Sequence, residues 1–277
     1  MPCEFVIGKP RSGKTSYVVA KIIEEDLTYL NSRYESFCDY LKTYNKTHNK
    51  QLSFPPEKHV VHANFEIFTQ FPNMHSYTIN GFEFGTKTQF QKTKRLVPHG
   101  VYAFDECQRI WPSKNNFTLP PWVTDAFELR GHIDLKIYLI AQKLTKLHSD
   151  IRATVDVFTL IKKSIHTYLI DGKKVKTNKL LGYGKLLSTT FYGIHFEEEA
   201  QILKYLQDGT NVGQSFIHTH KGAIDENYNP YSFEQEVTDN DDDFNFVNNV
   251  VPNKRPKAWD TYKKELKKLE EEVESAS

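Results

Sequence analysis

The clearest chemical pattern in the chain lies at residues 8–15, which read G-x-x-x-x-G-K-T. Glycines at this spacing let backbone N–H groups turn inward around phosphate oxygens, and the lysine reaches the β- and γ-phosphates of a nucleotide. The hydroxyl after the lysine holds Mg²⁺ in loops of this kind. The pattern predicts a site for ATP and Mg²⁺, and the alternative is a tight turn that contains a lysine by chance. We expect the nucleotide contacts to come from nine consecutive residues: Gly8, Lys9, Pro10, Arg11, Ser12, Gly13, Lys14, Thr15 and Ser16.

Two adjacent carboxylates, Asp105 and Glu106, follow the apolar run at residues 101–104. At the carboxyl end of a strand beside a phosphate loop, Asp105 can hold Mg²⁺ through water. Glu106 can orient and polarise the attacking water. Many strands end in an acidic turn, so the pair alone is a weak signal. Combined with the phosphate loop, it predicts the hydrolytic half of an ATP site.

A third polar group, Gln142, closes the apolar run at residues 135–141. A run of this length and composition is typical of a buried strand. We therefore place Gln142 beside the γ-phosphate.

The elements that must position these groups follow from the apolar pattern. A short apolar run at residues 5–7 precedes the phosphate loop, and apolar residues at helical spacing follow it from 17 to 23. This order is strand, loop, helix. It predicts an α/β fold, a P-loop NTPase with a mainly parallel central sheet flanked by helices. Further strands are expected at 59–65, 101–104, 135–142 and 154–161, and further helices at 122–130 and 145–153.

The chain divides by pattern into three parts. We expect a P-loop ATPase domain at residues 1–165, which includes a helical insertion and loop at 28–57. From 166 to 235 the pattern changes to alternation with glycine turns and a short helix, which predicts a small β-rich extension. Residues 236–277 are rich in charge and poor in apolar residues, so we expect a flexible tail.

Composition limits the classes of function. The chain has 277 residues, 39% of them hydrophobic and 26% charged, which is ordinary for a globular protein. Its formal net charge is +1, so any nucleic-acid contact must be a local patch. Three widely spaced cysteines, Cys3, Cys38 and Cys107, argue against a disulfide framework and a zinc site. Together with the lack of a long apolar run, this predicts a cytoplasmic protein with no membrane span.

Two other groups of residues could bind a ligand. Residues 109–117 combine aromatic and basic side chains, which can contact single-stranded nucleic acid or simply pack a loop onto the sheet. His218 and His220 are expected to share one face of a strand. No third metal ligand follows them at a suitable spacing, so the pair does not predict a metal site.

The order of several motifs resembles a known family. After the phosphate loop come D-E-C-Q-R at 105–109, E-L-R-G-H-I-D at 128–134, I-A-Q at 140–142 and D-I-R at 150–152. This set resembles the zonular occludens toxin family. That family includes the assembly ATPase of filamentous phages and is similar in core to DNA-pumping ATPases of the FtsK/HerA type. The resemblance covers roughly residues 1 to 165.

The resemblance implies a role for each site residue. Lys14 and Thr15 would bind nucleotide and Mg²⁺, Glu106 would activate water, and Gln142 would sense the γ-phosphate. Arg130 would match an arginine that the family carries near this helix end, and it could act across a subunit boundary. The implied assembly is a homo-oligomeric ring, and the implied cargo is viral DNA or a DNA-binding or coat protein.

Family members that drive phage extrusion carry a membrane-spanning helix after the ATPase domain, and this sequence has no apolar run of that length. The resemblance therefore implies a separate membrane or coat protein as partner, or a role in pumping DNA into a preformed capsid. We expect an ATP-hydrolysing motor of virion assembly or DNA extrusion. The alternatives are a genome-packaging or DNA-translocating ATPase, a slowly hydrolysing scaffold or switch protein, and a small-molecule kinase.

Overall fold

The computed structural model describes residues 2–48, 59–67, 74–78, 100–113, 118–119, 121–133, 135–179, 181, 183–222, 224 and 228–229. Strands lie in most of the longer ranges. In chain order they are β1 (Cys3–Ile7), β2 (His59–Ala63), β3 (Glu66–Ile67), β4 (Met74–Thr78), β5 (Val101–Phe104), β6 (Lys136–Ala141), β7 (Val157–Ile170), β8 (Lys173–Thr177), β9 (Lys185–Phe196), β10 (Gln214–Lys221) and β11 (Tyr228–Asn229).

Helices connect and cover these strands. They are α1 (Lys14–Lys21), α2 (Leu27–His48), α3 (Pro121–Glu128), α4 (Ser149–Ala153) and α5 (Glu199–Asp208). A π-helical segment, Ile22–Asp26, joins α1 to α2. Short 3₁₀ turns lie at Cys107–Arg109, Leu129–Ile133 and Leu144–Lys146.

Within the described ranges, nine strands form one sheet in the order β10-β9-β7-β1-β6-β5-β2-β4, with β8 also paired to β7. The pairs from β7 through β4 are parallel, whereas β8, β9 and β10 are antiparallel to their neighbours. Strands β3 and β11 form a separate two-stranded sheet. The phosphate loop follows the central strand β1 and opens α1, so the predicted P-loop NTPase fold with a mainly parallel central sheet is confirmed.

The core occupies both faces of the sheet around β1, β5 and β6, which explains why these three strands are mainly apolar. Along β1, Phe5 points into a cluster with α3, α4 and α5, and Val6 points into a second cluster with α1. Glu4 is a buried polar exception on the α1 face, where its Oε1 accepts a hydrogen bond from Thr159 Oγ1 at 2.6 Å. Burial of this carboxylate is therefore compensated by a hydrogen bond.

Several predicted boundaries differ from the structure. The helix expected at 145–153 is limited to α4, because a 3₁₀ turn and an extended residue precede it. The short helix expected between residues 166 and 235 is α5, and Ile202 is its one buried residue. Leu203 and Leu206 are 38% and 51% exposed, so the helix packs along a narrower stripe than the sequence indicates.

Strand β7 is longer than the strand expected at 154–161 and starts three residues later. Its first part pairs with β1, and its continuation to Ile170 pairs with β8 and β9. The predicted boundary between the ATPase domain and the β-rich extension, at residues 165 and 166, falls inside this strand. The strands before and after this boundary belong to one sheet. The tail predicted at 236–277 lies outside the described residues.

Cys3 and Cys107 are buried free thiols, and burial raises the pKa of Cys3 to about 12. Among the described helices, none combines the length and the apolar character that a membrane crossing requires.

Candidate functional site

The predicted site residues follow strands that lie side by side at the centre of the sheet. Strand β1 is flanked by β7 and β6, and β6 is followed by β5 and β2, all of them parallel. Their carboxyl ends therefore meet at one edge, where open α/β sheets bind ligands. The phosphate loop, Asp105 and Gln142 all occupy this edge.

The phosphate loop has a backbone that depends on its two glycines. Gly13 has a φ of 94°, which disfavours a side chain, and a Cβ there would lie 2.8 Å from Ser164 Oγ. A Cβ on Gly8 would lie 2.5 Å from the carbonyl oxygen of Ile161. Arg11 also has a left-handed conformation, with a φ of 61°. The loop is thus pressed against β7, and only glycine fits at its two ends.

Two polar side chains within the loop suit a bound phosphate. Lys14 is 8% exposed, and its Nζ donates to the carbonyl oxygen of Lys9 at 3.2 Å. Burial lowers the pKa of Lys14, and the carboxylates of Asp105 and Glu106 oppose that shift. Ser12 Oγ is buried and has no hydrogen-bond partner among the described residues. A phosphate oxygen would satisfy Ser12 and give Lys14 a counter-charge.

Thr15 and Asp105 meet directly, as the sequence predicts for two groups that share a metal ion. Thr15 Oγ1 donates to Asp105 Oδ2 at 2.6 Å. Burial raises the pKa of Asp105, while the hydrogen bonds from Thr15 and from the Glu106 backbone act against this shift. A half-buried carboxylate with an adjacent hydroxyl is the oxygen-only donor set that Mg²⁺ prefers. These two residues therefore fit the ion.

Glu106 has its carboxylate held by two amide side chains. Gln142 Nε2 donates to Glu106 Oε1 at 2.9 Å, and Gln108 Nε2 donates to Oε2. The backbone of Glu106 is left-handed, with a φ of 47°, which is uncommon for a residue with a side chain. The turn and the two amides together fix the direction of the carboxylate. Gln108 is a contact that sequence reasoning missed.

Asn64 is a second missed residue, and it clamps the turn that carries the carboxylates. Its Oδ1 accepts from the backbone N–H of Asp105 at 2.7 Å, and its Nδ2 donates to the Asp105 carbonyl oxygen at 2.9 Å. Asn64 is 3% exposed and directly follows β2, the neighbour of β5. Its contact with the acidic turn depends on the pairing of β2 with β5, which no local sequence pattern shows.

Arg130 is the one predicted site residue that the structure does not bring to this edge. It lies in the 3₁₀ turn before β6, and therefore at the amino edge of the sheet. Its Nη2 pairs with Asp156 Oδ2 at 2.6 Å, and its Nη1 donates to the Phe127 carbonyl oxygen. The same Asp156 oxygen accepts from the Cys3 backbone N–H at 2.6 Å. Within its own subunit, Arg130 therefore links the starts of three strands, β1, β6 and β7.

Trp111 belongs to the aromatic and basic stretch at 109–117 and is buried in the core. Trp111 is 3% exposed and packs against Phe104 and Phe127, with ring centroids 5.1 and 5.5 Å away. This part of the aromatic and basic loop therefore packs onto the sheet, and residues 114–117 lie outside the described residues.

His218 and His220 share a strand face, as predicted, and both meet Glu24 of the π-helical segment. The two imidazole nitrogens lie 3.1 and 2.6 Å from the Glu24 oxygens. Across the described ranges, no group of three or more His, Cys, Asp or Glu residues is arranged to hold a metal ion.

The family of the chain follows from its central part. The family described as Zonular occludens toxin (Zot) matches residues 60–211, more than half of the 277 residues. The chain belongs to this family. Within the match lie Asn64, Asp105, Glu106 and Gln142 of the Zot-family chain, whereas the phosphate loop precedes it.

Two solved structures illustrate the similarity of the Zot-family chain to other proteins. One is the N-terminal domain of zonular occludens toxin from Neisseria meningitidis, with 14% identity and a TM-score of 0.48 over 82% of this chain and 98% of that chain. The other is the genome packaging NTPase B204 from Sulfolobus turreted icosahedral virus 2 in complex with ATP-gammaS, with 13% identity and a TM-score of 0.36 over 80% and 97%. Among curated proteins, no sequence matches this chain.

Proposed function

We propose that this Zot-family chain is an ATPase that drives virion assembly by coupling nucleotide hydrolysis to the extrusion or movement of viral DNA. The observation that carries the proposal is the convergence of Lys14, Thr15, Asp105, Glu106 and Gln142 at one edge of the sheet. These groups supply the parts that phosphoryl transfer to water needs: phosphate binding, a metal site and a carboxylate beside the attacking water.

The first step is binding of the nucleotide by the phosphate loop. Backbone N–H groups at the start of α1 and the Lys14 ammonium neutralise the β- and γ-phosphates. Thr15 and Asp105 would hold Mg²⁺, which would supply positive charge to the phosphate oxygens when bound. Burial lowers the pKa of Lys14 and so disfavours the charged ammonium. The negative charge of bound phosphates opposes this shift and stabilises the ammonium.

The second step is activation of water by Glu106. A carboxylate that accepts two amide hydrogen bonds keeps one direction and needs no reorganisation when the water arrives. Gln142 contributes one of these hydrogen bonds, and a γ-phosphate would compete for the same amide. Gln142 can therefore report the presence of the γ-phosphate to Glu106.

The proposed assembly is a homo-oligomeric ring in the cytoplasm that acts with a separate membrane or coat protein. In such a ring Arg130 acts on the site of the neighbouring subunit. Its guanidinium is engaged by Asp156, so an action in trans requires that ion pair to open.

The proposal is tested by Glu106→Gln with Glu128→Gln as a matched control, since Glu128 is an exposed glutamate of α3. Loss of the water-activating carboxylate is expected to lower the ATPase rate by about 100-fold or more. Binding of a fluorescent ATP analogue should remain within a few-fold of wild type, and the control should match wild type in both assays. A fully active Glu106→Gln variant would refute the role of this carboxylate.

Cargo is tested by the same ATPase assay with and without DNA. A motor that moves DNA is expected to hydrolyse ATP faster when single- or double-stranded DNA is present. A rate that is slow and independent of DNA would favour a scaffold or switch protein instead.

A further inference from the structure

The antiparallel half of the sheet has one face that is open to solvent and lined with lysines. The pairing of β8, β7, β9 and β10 places Lys176, Thr167, Ser188 and Lys221 in one row across the four strands. Side chains directly opposite one another in paired strands lie on the same face. Five exposed lysines share this surface, which we call the lysine face: Lys163, Lys174, Lys176, Lys185 and Lys221.

The other face of the same strands is buried, so the two faces have separate roles. Ser164, Tyr168 and Phe191 alternate with lysine-face residues along the strands, and each is at most 4% exposed. Phe191 and Tyr168 belong to the apolar cluster that contains α1. On the lysine face no described side chain is buried, because the apolar cluster on that side ends near Ile194 and Phe196.

Positive charge is concentrated in this region. Residues 162–185 contain seven lysines and one aspartate, a formal charge of +6, whereas the whole chain carries +1. None of the five lysines forms an ion pair with a carboxylate in the described part of the chain. Lys163 is the one of the five with a described ring contact, with its Nζ 4.9 Å from the centroid of Tyr192. The charge is therefore available to a polyanion.

We propose that the lysine face binds the sugar-phosphate backbone of a nucleic acid. Lysines at alternate positions of β8 are about 7 Å apart, which is about twice the axial spacing of phosphates along one DNA strand. Hydroxyl groups lie between the lysines and can donate to phosphate oxygens, as is common in DNA complexes. They belong to Thr167, Ser188, Thr190 and Thr219, none of which is buried.

A nucleic acid fits this surface better than a membrane does. Ile217, at 69% exposure, is the one large aliphatic side chain on the face that is strongly exposed in the described structure. An interfacial membrane segment needs several such residues beside its basic ones. Tyr192 is half-buried at the centre of the face and offers a ring on which a base can stack.

The lysine face is also connected to the phosphate loop through shared strands. Gly13 of the loop packs against Ser164 and Phe191, whose strand neighbours Lys163 and Tyr192 lie on the lysine face. A ligand on the lysine face would thus contact residues of β7 and β9 that are adjacent to those against which the phosphate loop packs. This inference rests on the proposed function, which names viral DNA as the cargo.

The test compares nucleic-acid binding by wild type and by the triple variant Lys174→Gln/Lys176→Gln/Lys185→Gln. The control is Lys42→Gln/Lys46→Gln/Lys204→Gln, which removes the same charge from exposed positions of α2 and α5. Binding of a labelled 20-nucleotide oligonucleotide and of the matching duplex is measured by fluorescence anisotropy at several salt concentrations, without ATP. Loss of three phosphate contacts should reduce the slope of log K against log salt by about 2 for the single strand and about 3 for the duplex.

The outcomes separate this inference from the ATPase assignment. Equal slopes for wild type and the lysine-face variant, or a control that changes as much, would overturn it. So would binding of anionic phosphatidylserine vesicles without binding of either oligonucleotide. Lys14→Ala, in which the phosphate loop is disabled, is expected to bind DNA like wild type. DNA binding by the lysine face can therefore be measured even if the chain does not hydrolyse ATP. Basal ATPase activity of the lysine-face variant, measured without DNA, should also match wild type.

Discussion

Replacement of Asn64 by alanine is expected to weaken both the fold and the chemistry at the acidic turn. The change removes two hydrogen bonds, to the N–H and to the carbonyl oxygen of Asp105, at a position that is 3% exposed. Each buried backbone group left without a partner costs about 1–3 kcal/mol. Since water can enter part of the space, we expect the free energy of unfolding to fall by about 2–4 kcal/mol.

The catalytic effect should be separable from the loss of stability. The clamp holds the turn that bears Glu106, so kcat should fall at least tenfold at a temperature where the variant is fully folded. KM should stay within about threefold, because Asn64 makes no described contact with the phosphate loop. Urea unfolding and steady-state ATPase rates measure the two quantities.

The control for this experiment is Asn211→Ala, which removes one exposed hydrogen bond, from the Gly213 N–H. It should cost less than about 1 kcal/mol and leave kcat unchanged. If Asn64→Ala cost no more than the control and kept its kcat, the clamp would have no role in the site.

Three further predictions address other parts of the molecule. Lys14→Ala should abolish binding of a fluorescent ATP analogue, and retained ATPase activity would contradict the phosphate-loop assignment. Burial lowers the pKa of His62 from 6.5 to about 3, so the unfolded chain binds a proton below pH 6.5 that the folded chain does not. Stability should therefore fall by up to about 1.4 kcal/mol per pH unit between pH 6 and 4, and His62→Phe should remove that part of the slope in urea unfolding. Arg130→Met should lower the melting temperature by breaking the ion pair with Asp156. If Arg130 also acts in trans, mixing inactive Arg130→Met subunits with Lys14→Ala subunits should restore activity, and verified mixed rings that stay inactive would exclude that role.

The part of the site that could be predicted has a local signature. The glycines and Lys14 identify a phosphate loop by spacing alone, and Asp105 and Gln142 each end an apolar run. Because parallel strands align their carboxyl ends, these separate signals predict one site. Asn64 and Gln108 have no spacing that distinguishes them from other polar residues of turns. Their contacts depend on which strands are neighbours, and the sequence does not contain that order in any local pattern.

The length of β7 could not be predicted for a different reason. A register shift between Ile161 and Lys163 changes which residues face the core, so the alternation that marks a strand is broken at that point. The pattern therefore indicates two segments where there is one strand of 14 residues. The same irregularity turns Lys163 outward and Ser164 toward the phosphate loop.

The central position of β1 has a consequence for how the protein is made. All five residues of β1 are buried, and its partners on the two sides, β6 and β7, begin at Lys136 and Val157. At a synthesis rate of about 5–20 residues per second, the ribosome completes those partners roughly 8–30 s after β1. During that time an apolar strand with unpaired N–H and C=O groups is a target for aggregation, since parallel pairing over such a sequence separation forms slowly. Strands β7, β9 and β10, by contrast, are consecutive pairing partners and can associate as soon as they emerge. We therefore expect the nascent chain to depend on chaperones during the time between synthesis of β1 and synthesis of β6 and β7.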